Sequence, residues 1–324
     1  MKALSKNEFS YVVSSITGYT DQVGGAILSK ALIGATTAKH VTVRLGIKGT
    51  QALNLLDSAP SFQDGVCGWS ASGTTTWTQR DITTCPEKIN ESLCPTALYD
   101  TYQSMMLQPG MLEESVPMET LIGDLKSKQI QQRVETKLWS ATVAGGDCFD
   151  GFKTLIASGQ TGVGVSASGT TFSVTTAYGT NGNPIYEVDK IINALNDNAQ
   201  EMDDLVVFMS VVNFRKYVQS LTVANYFQNY IQGAQSISST VDSYAIHPNT
   251  NVKIVPTLGL NGSNSVVIGP AKYMFVGFDL LSNEKLDMWF SRDNQEIRLA
   301  ANYNYGAQIA KFGSTEYFAC NGLA

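Results

Sequence analysis

The stretch PMETLIGDLKSKQIQQRVETKLWSATVAGGDCFDGF, residues 117–152, contains the longest helical pattern in the chain. Apolar residues recur in it at three- and four-residue steps, which predicts one helix from Met118 to Trp139. Pro117 suits the first turn of this helix, where its missing N–H costs nothing. At 1.5 Å per residue, about 22 residues span roughly 33 Å, about twice the length of an average helix. The predicted apolar stripe consists of Met118, Leu121, Leu125, Val134 and Leu138, with Ile122 and Ile130 on its flanks.

Charged residues fill the positions between these apolar ones, so the remaining helix face is expected to meet water or other polar surface. They are Glu119, Asp124, Lys126, Lys128, Arg133, Glu135 and Lys137. After Gly145-Gly146 comes Phe149-Asp150-Gly151-Phe152, which predicts a tight turn fixed by its two aromatic rings. A long helix followed by such a turn can serve as a spine against which other elements pack.

Length and composition limit the class of protein. A chain of 324 residues is expected to form one large domain or two smaller ones. Apolar residues at 43% and charged residues at 15% indicate a folded chain with an unusually uncharged surface. No apolar run is long enough to span a membrane, and the N-terminus lacks the apolar core of a signal peptide. A net charge of −6 argues against a dedicated nucleic-acid binder.

The first hundred residues predict an arm and an extended hairpin. Residues 41–47 alternate as a strand, and residues 52–56 either pair with it or continue into the next region. Residues 65–82 predict two strands around a Ser72-Gly73 turn, with Trp69 on one strand and Trp77 on the other. A two-stranded hairpin is marginal alone in water, so this one is expected to rest on a neighbouring surface. Short helices are expected at residues 9–16 and 99–106.

The second half alternates helices and strands, which makes the fold class α+β. Asn183-Pro184 predict the start of a helix that runs to Glu201. A buried strand is expected at residues 205–209, and Ser210 is expected to cap the next helix. Residues 252–256 and 265–269 predict two strands joined through an Asn261-Gly262 turn.

Three long segments of this half carry no Asp, Glu, Lys or Arg. They lie between Lys153 and Glu187, between Lys216 and Asp242, and between Lys253 and Lys272. Charge is depleted in the cores of subunit interfaces, so these segments are candidates for contacts between copies. The alternative is a set of β-rich loops with a polar, uncharged surface.

Catalytic and metal chemistry find little support in the sequence. His40 and His247 are the two histidines, which nearly excludes Ser-His-Asp, Cys-His and HExxH arrangements. The five cysteines include no CxxC pair, so no zinc site is expected. Without a secretory signal they are expected to be reduced thiols; a bridge between Cys85 and Cys94 is the alternative. The sequence therefore predicts no catalytic, cofactor-binding or metal-binding residues, no cofactor and no enzyme activity.

The order of these elements resembles the major capsid protein of tailed bacteriophages, which has the Hong Kong 97-like fold. The most specific segments are Leu138-Trp139 through Phe152, Val206 to Ser210, Ile254 to Gly269, and Gly277-Phe278-Asp279. The resemblance covers almost the whole chain as an order of elements rather than as a strict motif.

The resemblance implies four parts of the chain. Residues 1–45 would be the N-terminal arm, and 46–100 the extended loop. Residues 101–154 and 285–305 would form the peripheral domain with the spine helix. Residues 155–284 and 306–324 would form the axial domain, a central sheet with flanking helices.

The same resemblance implies self-assembly into hexamers and pentamers of an icosahedral phage head around double-stranded DNA. The expected partners are other copies of the chain, a portal protein, a scaffolding protein and packaged DNA held by non-specific contact, with decoration proteins left open and no membrane. The expected location is the virion capsid, with host cytoplasm during assembly. The scaffolding protein is expected to be separate, because no long charged segment precedes the arm.

The chain departs from family members that are covalently cross-linked. Their loop lysine has no clear counterpart, since residues 58–93 offer only Arg80 and Lys88. Two alternatives stand beside the phage capsid: an encapsulin-type shell of the same fold around a cargo enzyme, and a soluble α+β binding module or enzyme.

Overall fold

The computed structural model describes residues 32, 35–65, 67–69, 72–93, 118–159, 164–166, 171–224, 244–248, 250–279, 285–311 and 318–322. The helices predicted at residues 9–16 and 99–106 lie outside these residues, as do most of the N-terminal arm and Cys94. Helices and strands follow one another in a mixed α+β order.

The described elements are numbered in chain order. The α-helices are α1 (Met118–Ser140), α2 (Phe152–Gly159), α3 (Pro184–Asn193), α4 (Asp197–Gln200) and α5 (Val211–Val223). The strands are β1 (Thr42–Leu45), β2 (Thr50–Pro60), β3 (Gly73–Thr83), β4 (Cys85–Leu93), β5 (Gly164–Ser166), β6 (Leu205–Ser210), β7 (Ala245–Ile246), β8 (Lys253–Thr257), β9 (Val266–Pro270), β10 (Met274–Phe278), β11 (Lys285–Ser291), β12 (Glu296–Ile309) and β13 (Ala319–Asn321).

The first sheet is organised around the 14-residue strand β12. β11 pairs antiparallel with its first half, from Glu296 to Asn302, and β10 pairs with its end, from Tyr305 to Ile309. β4 pairs with β12 from Ile297 to Tyr305 along the opposite edge, and β1 lies parallel beside β10. One strand therefore joins elements from both ends of the chain.

The second sheet has the order β5-β13-β9-β6-β8-β7. Its central strand β6 is buried along its whole length, between β8 in parallel and β9 in antiparallel orientation. The predicted turn at Asn261-Gly262 is present, with Gly262 at a φ of 79°. The two strands it joins do not form a hairpin, however, because β6 lies between them. A fully apolar strand needs hydrogen-bonded partners on both edges, and β8 and β9 provide them.

The predicted starts of both helices of this half are confirmed. The side chain of Asn183 accepts hydrogen bonds from the N–H groups of Ile185 and Tyr186, both at 3.1 Å, ahead of Pro184 in the first turn. Ser210 Oγ accepts a hydrogen bond from Asn213 N–H at 3.2 Å. The first of these helices is shorter than predicted: α3 ends at Asn193 and the chain turns before α4.

The long helix is confirmed, but its predicted buried face is wrong in part. Leu125 is 53% exposed, whereas Lys126 and Glu135 are buried. The buried residues recur at four-residue steps, as Ile122, Lys126, Ile130, Val134 and Leu138, with Glu135 and Trp139 one position further round. The predicted stripe through Leu125 is wrong because residues four positions apart share a helix face, and the buried series from Ile122 to Leu138 does not include Leu125. An aspartate at position 125 is therefore expected to leave the fold intact.

Ion pairs connect α1 to β4, and one of them explains why Lys126 lies on the buried face. Lys126 Nζ lies 2.5 Å from a carboxylate oxygen of Glu91 in β4. Arg133 Nε donates to Glu87 of the same strand at 3.0 Å, and the Tyr305 hydroxyl donates to Glu87 at 2.7 Å. These contacts fix the position of α1 along β4, because Glu87 and Glu91 lie on the same face of the strand and each pairs with a different position of the helix.

The turn after α1 is packed as the sequence predicted. Phe149 and Phe152 are buried, and the Phe149 ring meets the ring of Tyr305 edge-on at 5.2 Å. Gly151 passes so close to α1 that an added Cβ would lie 2.7 Å from the carbonyl carbon of Trp139. Glycine is required at this position because the two backbones touch.

The expectation of five reduced cysteines is wrong, and so is the alternative bridge to Cys94. Cys85, the first residue of β4, forms a disulfide with Cys148 in the turn after α1, with a Cα–Cα distance of 6.0 Å. Cys85 pairs with Tyr305 in the sheet, and Phe149 packs on the same Tyr305. This shared neighbour brings together two cysteines that are 63 residues apart. Cys67 is a free, exposed thiol and Cys320 a free, buried one.

Candidate assembly surface

The extended hairpin is built from different strands than the sequence predicted. β2 pairs with β3 over eleven residues each, in register from Thr50 opposite Thr83 to Pro60 opposite Gly73. Residues 52–56 therefore belong to the hairpin, and Trp69 lies in the connection between its strands. The prediction failed because a Ser-Gly pair looks like a two-residue turn, whereas the strands are joined by a much longer connection. At about 3.3 Å per residue the two strands extend roughly 35 Å.

The outer part of the hairpin carries large apolar side chains that are exposed to solvent. Leu56 and Trp77 are direct cross-strand partners on one face, 57% and 74% exposed. Phe62 and Trp69 in the connection are 93% and 95% exposed. We call these four residues the hairpin apolar cluster. Four large apolar side chains exposed on one hairpin indicate an interaction surface rather than the ordinary scatter on a monomer.

The root of the hairpin is fixed to its own subunit on the opposite face. Leu53 and Ile82 are buried with Ile47 and Phe275 in a small apolar cluster. Arg80 donates a hydrogen bond to the Ile309 carbonyl at 3.0 Å, and Gln308 donates to the Asp81 carbonyl at 2.8 Å. The hairpin is thus anchored at its base. The hairpin apolar cluster, in contrast, stays exposed, because no other part of the described chain covers it.

The two candidates for a cross-linking side chain, Arg80 and Lys88, lie at the hairpin root and on β4. Arg80 is engaged at the hairpin root through its hydrogen bond to Ile309. Lys88 is exposed on β4, opposite Asn302 in the sheet. The described hairpin residues include no lysine, so non-covalent assembly stays a prediction.

One of the three uncharged segments has a simpler explanation than an interface. Between Lys253 and Lys272 the chain forms β8 and β9, which lie on either side of β6. Both strands are buried along nearly their whole length. Burial inside the subunit accounts for the absence of charge there. Of the other two, the segment between Lys216 and Asp242 lies mostly outside the described residues, whereas most of the segment between Lys153 and Glu187 is described.

A buried polar junction connects the end of the predicted arm to α1. The side chain of Glu135, 1% exposed, accepts hydrogen bonds from the Thr37 N–H and from the Thr37 hydroxyl. The Trp139 Nε1–H donates to the same Thr37 hydroxyl at 2.7 Å. Burial raises the pKa of Glu135 above its usual value, and the hydrogen bonds from Thr37 and Gly259 oppose part of this rise. Sequence reasoning missed this junction because a glutamate in a charged helix looks solvent-exposed.

Replacing Glu135 with glutamine is expected to change the pH dependence of stability. Because the pKa of Glu135 is higher in the folded chain, this residue favours folding at low pH. Its contribution is lost as the pH rises through the folded-state pKa. Denaturant unfolding of the unassembled subunit should show the wild type losing stability relative to Glu135→Gln with rising pH. Thr37→Val removes a hydrogen bond that stabilises the ionised carboxylate, so the loss of stability with rising pH should be steeper in this variant. A stability difference between the wild type and Glu135→Gln that stays constant with pH would contradict the assignment.

The described residues contain no group of three His, Cys, Asp or Glu side chains that could hold a metal ion. No helix among them has the length and apolar character to cross a membrane. The functional feature that the geometry does present is the anchored hairpin with its exposed apolar cluster.

Comparisons with known proteins connect this architecture to capsids. No protein family and no curated protein matches the sequence. Among solved structures, a chain of Microbacterium phage Oxtober96 is similar over 89% of this chain and 90% of its own, with 11% identity and a TM-score of 0.54. The capsid of an empty GTA particle is similar over 89% of both chains, with 10% identity and a TM-score of 0.54. A chain of the satellite phage P4 procapsid is similar over 92% of this chain and 98% of its own, with 9% identity and a TM-score of 0.54.

These similarities cover nearly the whole length of each chain and recur in separate phage structures. The protein therefore has the fold of phage capsid proteins, as its order of elements predicted. Because only about one residue in ten is identical, these comparisons show that the fold is shared and nothing further.

Proposed function

We propose that this chain is a major capsid protein with the Hong Kong 97-like fold, which assembles with other copies into hexamers and pentamers of an icosahedral phage head. The observation that carries the proposal is the hairpin apolar cluster, which has a fixed root and no burying surface among the described residues of its own subunit. The fold of phage capsid proteins supports the same function. The shell would enclose double-stranded DNA, and the protein would act without catalysis or cofactors.

The proposed parts follow the sequence, with one refinement. The arm would be residues 1–45, the extended loop 46–100, the peripheral domain 101–154 and 285–305, and the axial domain 155–284 and 306–324. Because β10 pairs with β1 and with residues 305–309 of β12, we place residues 274–278 and 306–309 with the peripheral domain instead. A portal protein, a separate scaffolding protein and decoration proteins are proposed partners, with assembly in host cytoplasm.

Shortening the hairpin tests this function. Residues 56–77 would be replaced by Asn-Gly, so that Leu55 and Thr78, which are paired in the sheet, are joined by a two-residue turn. The root contacts of Leu53, Arg80 and Ile82 remain, so the subunit is expected to keep its thermal transition. Assembly, measured by sedimentation and electron microscopy, is expected to be lost because the apolar cluster is gone.

A milder variant separates loss of contacts from loss of length. Leu56→Thr with Trp77→Thr keeps the hairpin and its β propensity while removing the exposed pair. Assembly should be strongly reduced in this variant too. Shells that form as in the wild type from both variants would refute the proposal.

An encapsulin-type shell is the second candidate function, because it shares the fold and would need the same hairpin contacts. The contents of particles made in the native host distinguish the two. Double-stranded DNA supports a phage head, whereas an enclosed enzyme without DNA supports a cellular compartment.

A further inference from the structure

A cavity of about 550 Å³ opens between α3, the end of α5 and residues 174–178. Its apolar lining includes Val174, Ile185, Val223 and Pro248. Its polar lining includes Asp189, Ser220 and His247. This volume lies within the usual range for small-molecule sites, which are mostly apolar with a few fixed polar groups.

The carboxylate of Asp189 is held in place by two donors. His247 Nε2 lies 2.7 Å from Asp189 Oδ1, and the Tyr178 hydroxyl donates to Oδ2 at 3.0 Å. Behind it, the Tyr217 hydroxyl lies 2.8 Å from His247 Nδ1. Burial raises the pKa of Tyr217, so this hydroxyl keeps its proton while it hydrogen-bonds to His247 Nδ1. A carboxylate oxygen accepts hydrogen bonds, so His247 Nε2 carries a hydrogen and donates it to Asp189.

Among the described residues, no lysine or arginine lines the cavity. The neighbouring Lys190 is directed elsewhere, since its Nζ lies 2.8 Å from Glu187 and 3.1 Å from the Asn181 side chain. Asp189 is the one acidic residue among the described residues that line the cavity, so its carboxylate brings negative charge to the cavity wall. A charge in such a wall favours a ligand of opposite charge.

Ser220 adds a second polar group without a partner. It lines the cavity one turn beyond Tyr217 on α5, is 4% exposed, and its hydroxyl makes no hydrogen bond within the described chain. Buried hydroxyls nearly always have a partner, so an unpaired one at a cavity wall indicates a missing hydrogen-bonding group.

We propose that this cavity binds a primary aliphatic ammonium compound, with the ammonium group against Asp189 and Ser220 and the alkyl chain along the apolar wall. The ammonium group supplies three donors and a positive charge. The carboxylate and the serine oxygen accept from it, and Val174, Ile185 and Val223 contact the methylene groups. Because the cavity lies within one subunit, this inference does not depend on the proposed function.

Calorimetric titration of the full-length protein with pentylamine, and with pentanol as the uncharged ligand of equal length, tests the proposal. Pentylammonium is expected to bind one site per chain, about tenfold or more tighter than pentanol, because a charge-assisted hydrogen bond is lost with the alcohol. Asp189→Asn should remove this preference. Equal binding of the two ligands by the wild type, or a preference that persists in Asp189→Asn, would overturn the site.

Two exposed valines of α5 give a matched pair that does not depend on the core. Val223→Arg brings a bulky cation to the cavity rim, whereas Val212→Arg makes the same change at an exposed position that does not line the cavity. Binding of pentylamine should be lost in the first variant and unchanged in the second. The same result in both variants would place the binding elsewhere on the protein.

Discussion

Reducing the disulfide between Cys85 and Cys148 is expected to cost the subunit about 4 kcal/mol of its free energy of unfolding, the chain-entropy value for a closed loop of 63 residues. The bond joins the start of β4 to the turn after α1, so it closes a loop that contains the whole long helix. Total stabilities are roughly 5–15 kcal/mol, so this loss is a large fraction. Thermal unfolding of unassembled subunits with and without reductant measures the effect.

The double variant Cys85→Ser with Cys148→Ser should match the reduced wild type and respond no further to reductant. The free thiols Cys67 and Cys320 remain in this variant, so they act as an internal control. A reductant effect that persists in it would mean that another cysteine pair carries the stabilisation.

The disulfide also bears on how a shell would be held together. Both cysteines belong to one chain, so assembled particles denatured in detergent should run as a monomer-sized band with or without reductant. A ladder of larger species that resists reductant would show covalent links and contradict non-covalent assembly. A ladder seen only without reductant would show disulfides between copies, for which Cys67 is the exposed free thiol among the described residues.

Replacing Trp139 with alanine is the second change with a large expected effect, a loss of about 3–5 kcal/mol in the free energy of unfolding. Its ring is fully buried and packs against Phe152 at 5.5 Å and against Phe208 of β6 at 5.2 Å. The substitution also removes the hydrogen bond to Thr37. Because Trp139 joins α1 to the second sheet and to the end of the arm, we expect little soluble protein at 37 °C.

Trp77→Ala is the matched control, since it removes the same side chain from an exposed position. The subunit should keep its unfolding midpoint, while shell assembly should weaken because the hairpin apolar cluster loses a member. Chemical denaturation measures the first effect and sedimentation the second. If the two tryptophan variants lost stability equally, the assignment of Trp77 to an exposed surface would be wrong.

The elements that the sequence predicted best are those with strong local signals. The long helix, the turn at Phe149 to Phe152, the Asn183 and Ser210 caps and the buried strand β6 follow from periodicity and from residues that cap helices. These signals come from neighbours within a few positions along the chain, so they are present in any single sequence.

The errors concern contacts between distant parts of the chain. The hairpin register depends on which segment pairs with residues 73–83, and the Cys85–Cys148 bond depends on a shared neighbour, Tyr305. Burial of Lys126 and Glu135 depends on partners from β4 and Thr37 that no local pattern reveals. The sequence predicted Trp69 and Trp77 on opposite strands of a hairpin, whereas Trp69 lies in the connection and the pairing of Leu56 with Trp77 depends on the register.

The strand β12 limits which length changes this fold can accept. A one-residue insertion within residues 296–309 would reverse the faces of the side chains that follow it, and would do so against β4, β10 and β11 together. The described residues of the connection, 61–65, 67–69 and 72, belong to no strand ladder, so an insertion there would shift none. Divergent chains of this architecture are therefore expected to differ in hairpin length while keeping the length of β12 constant.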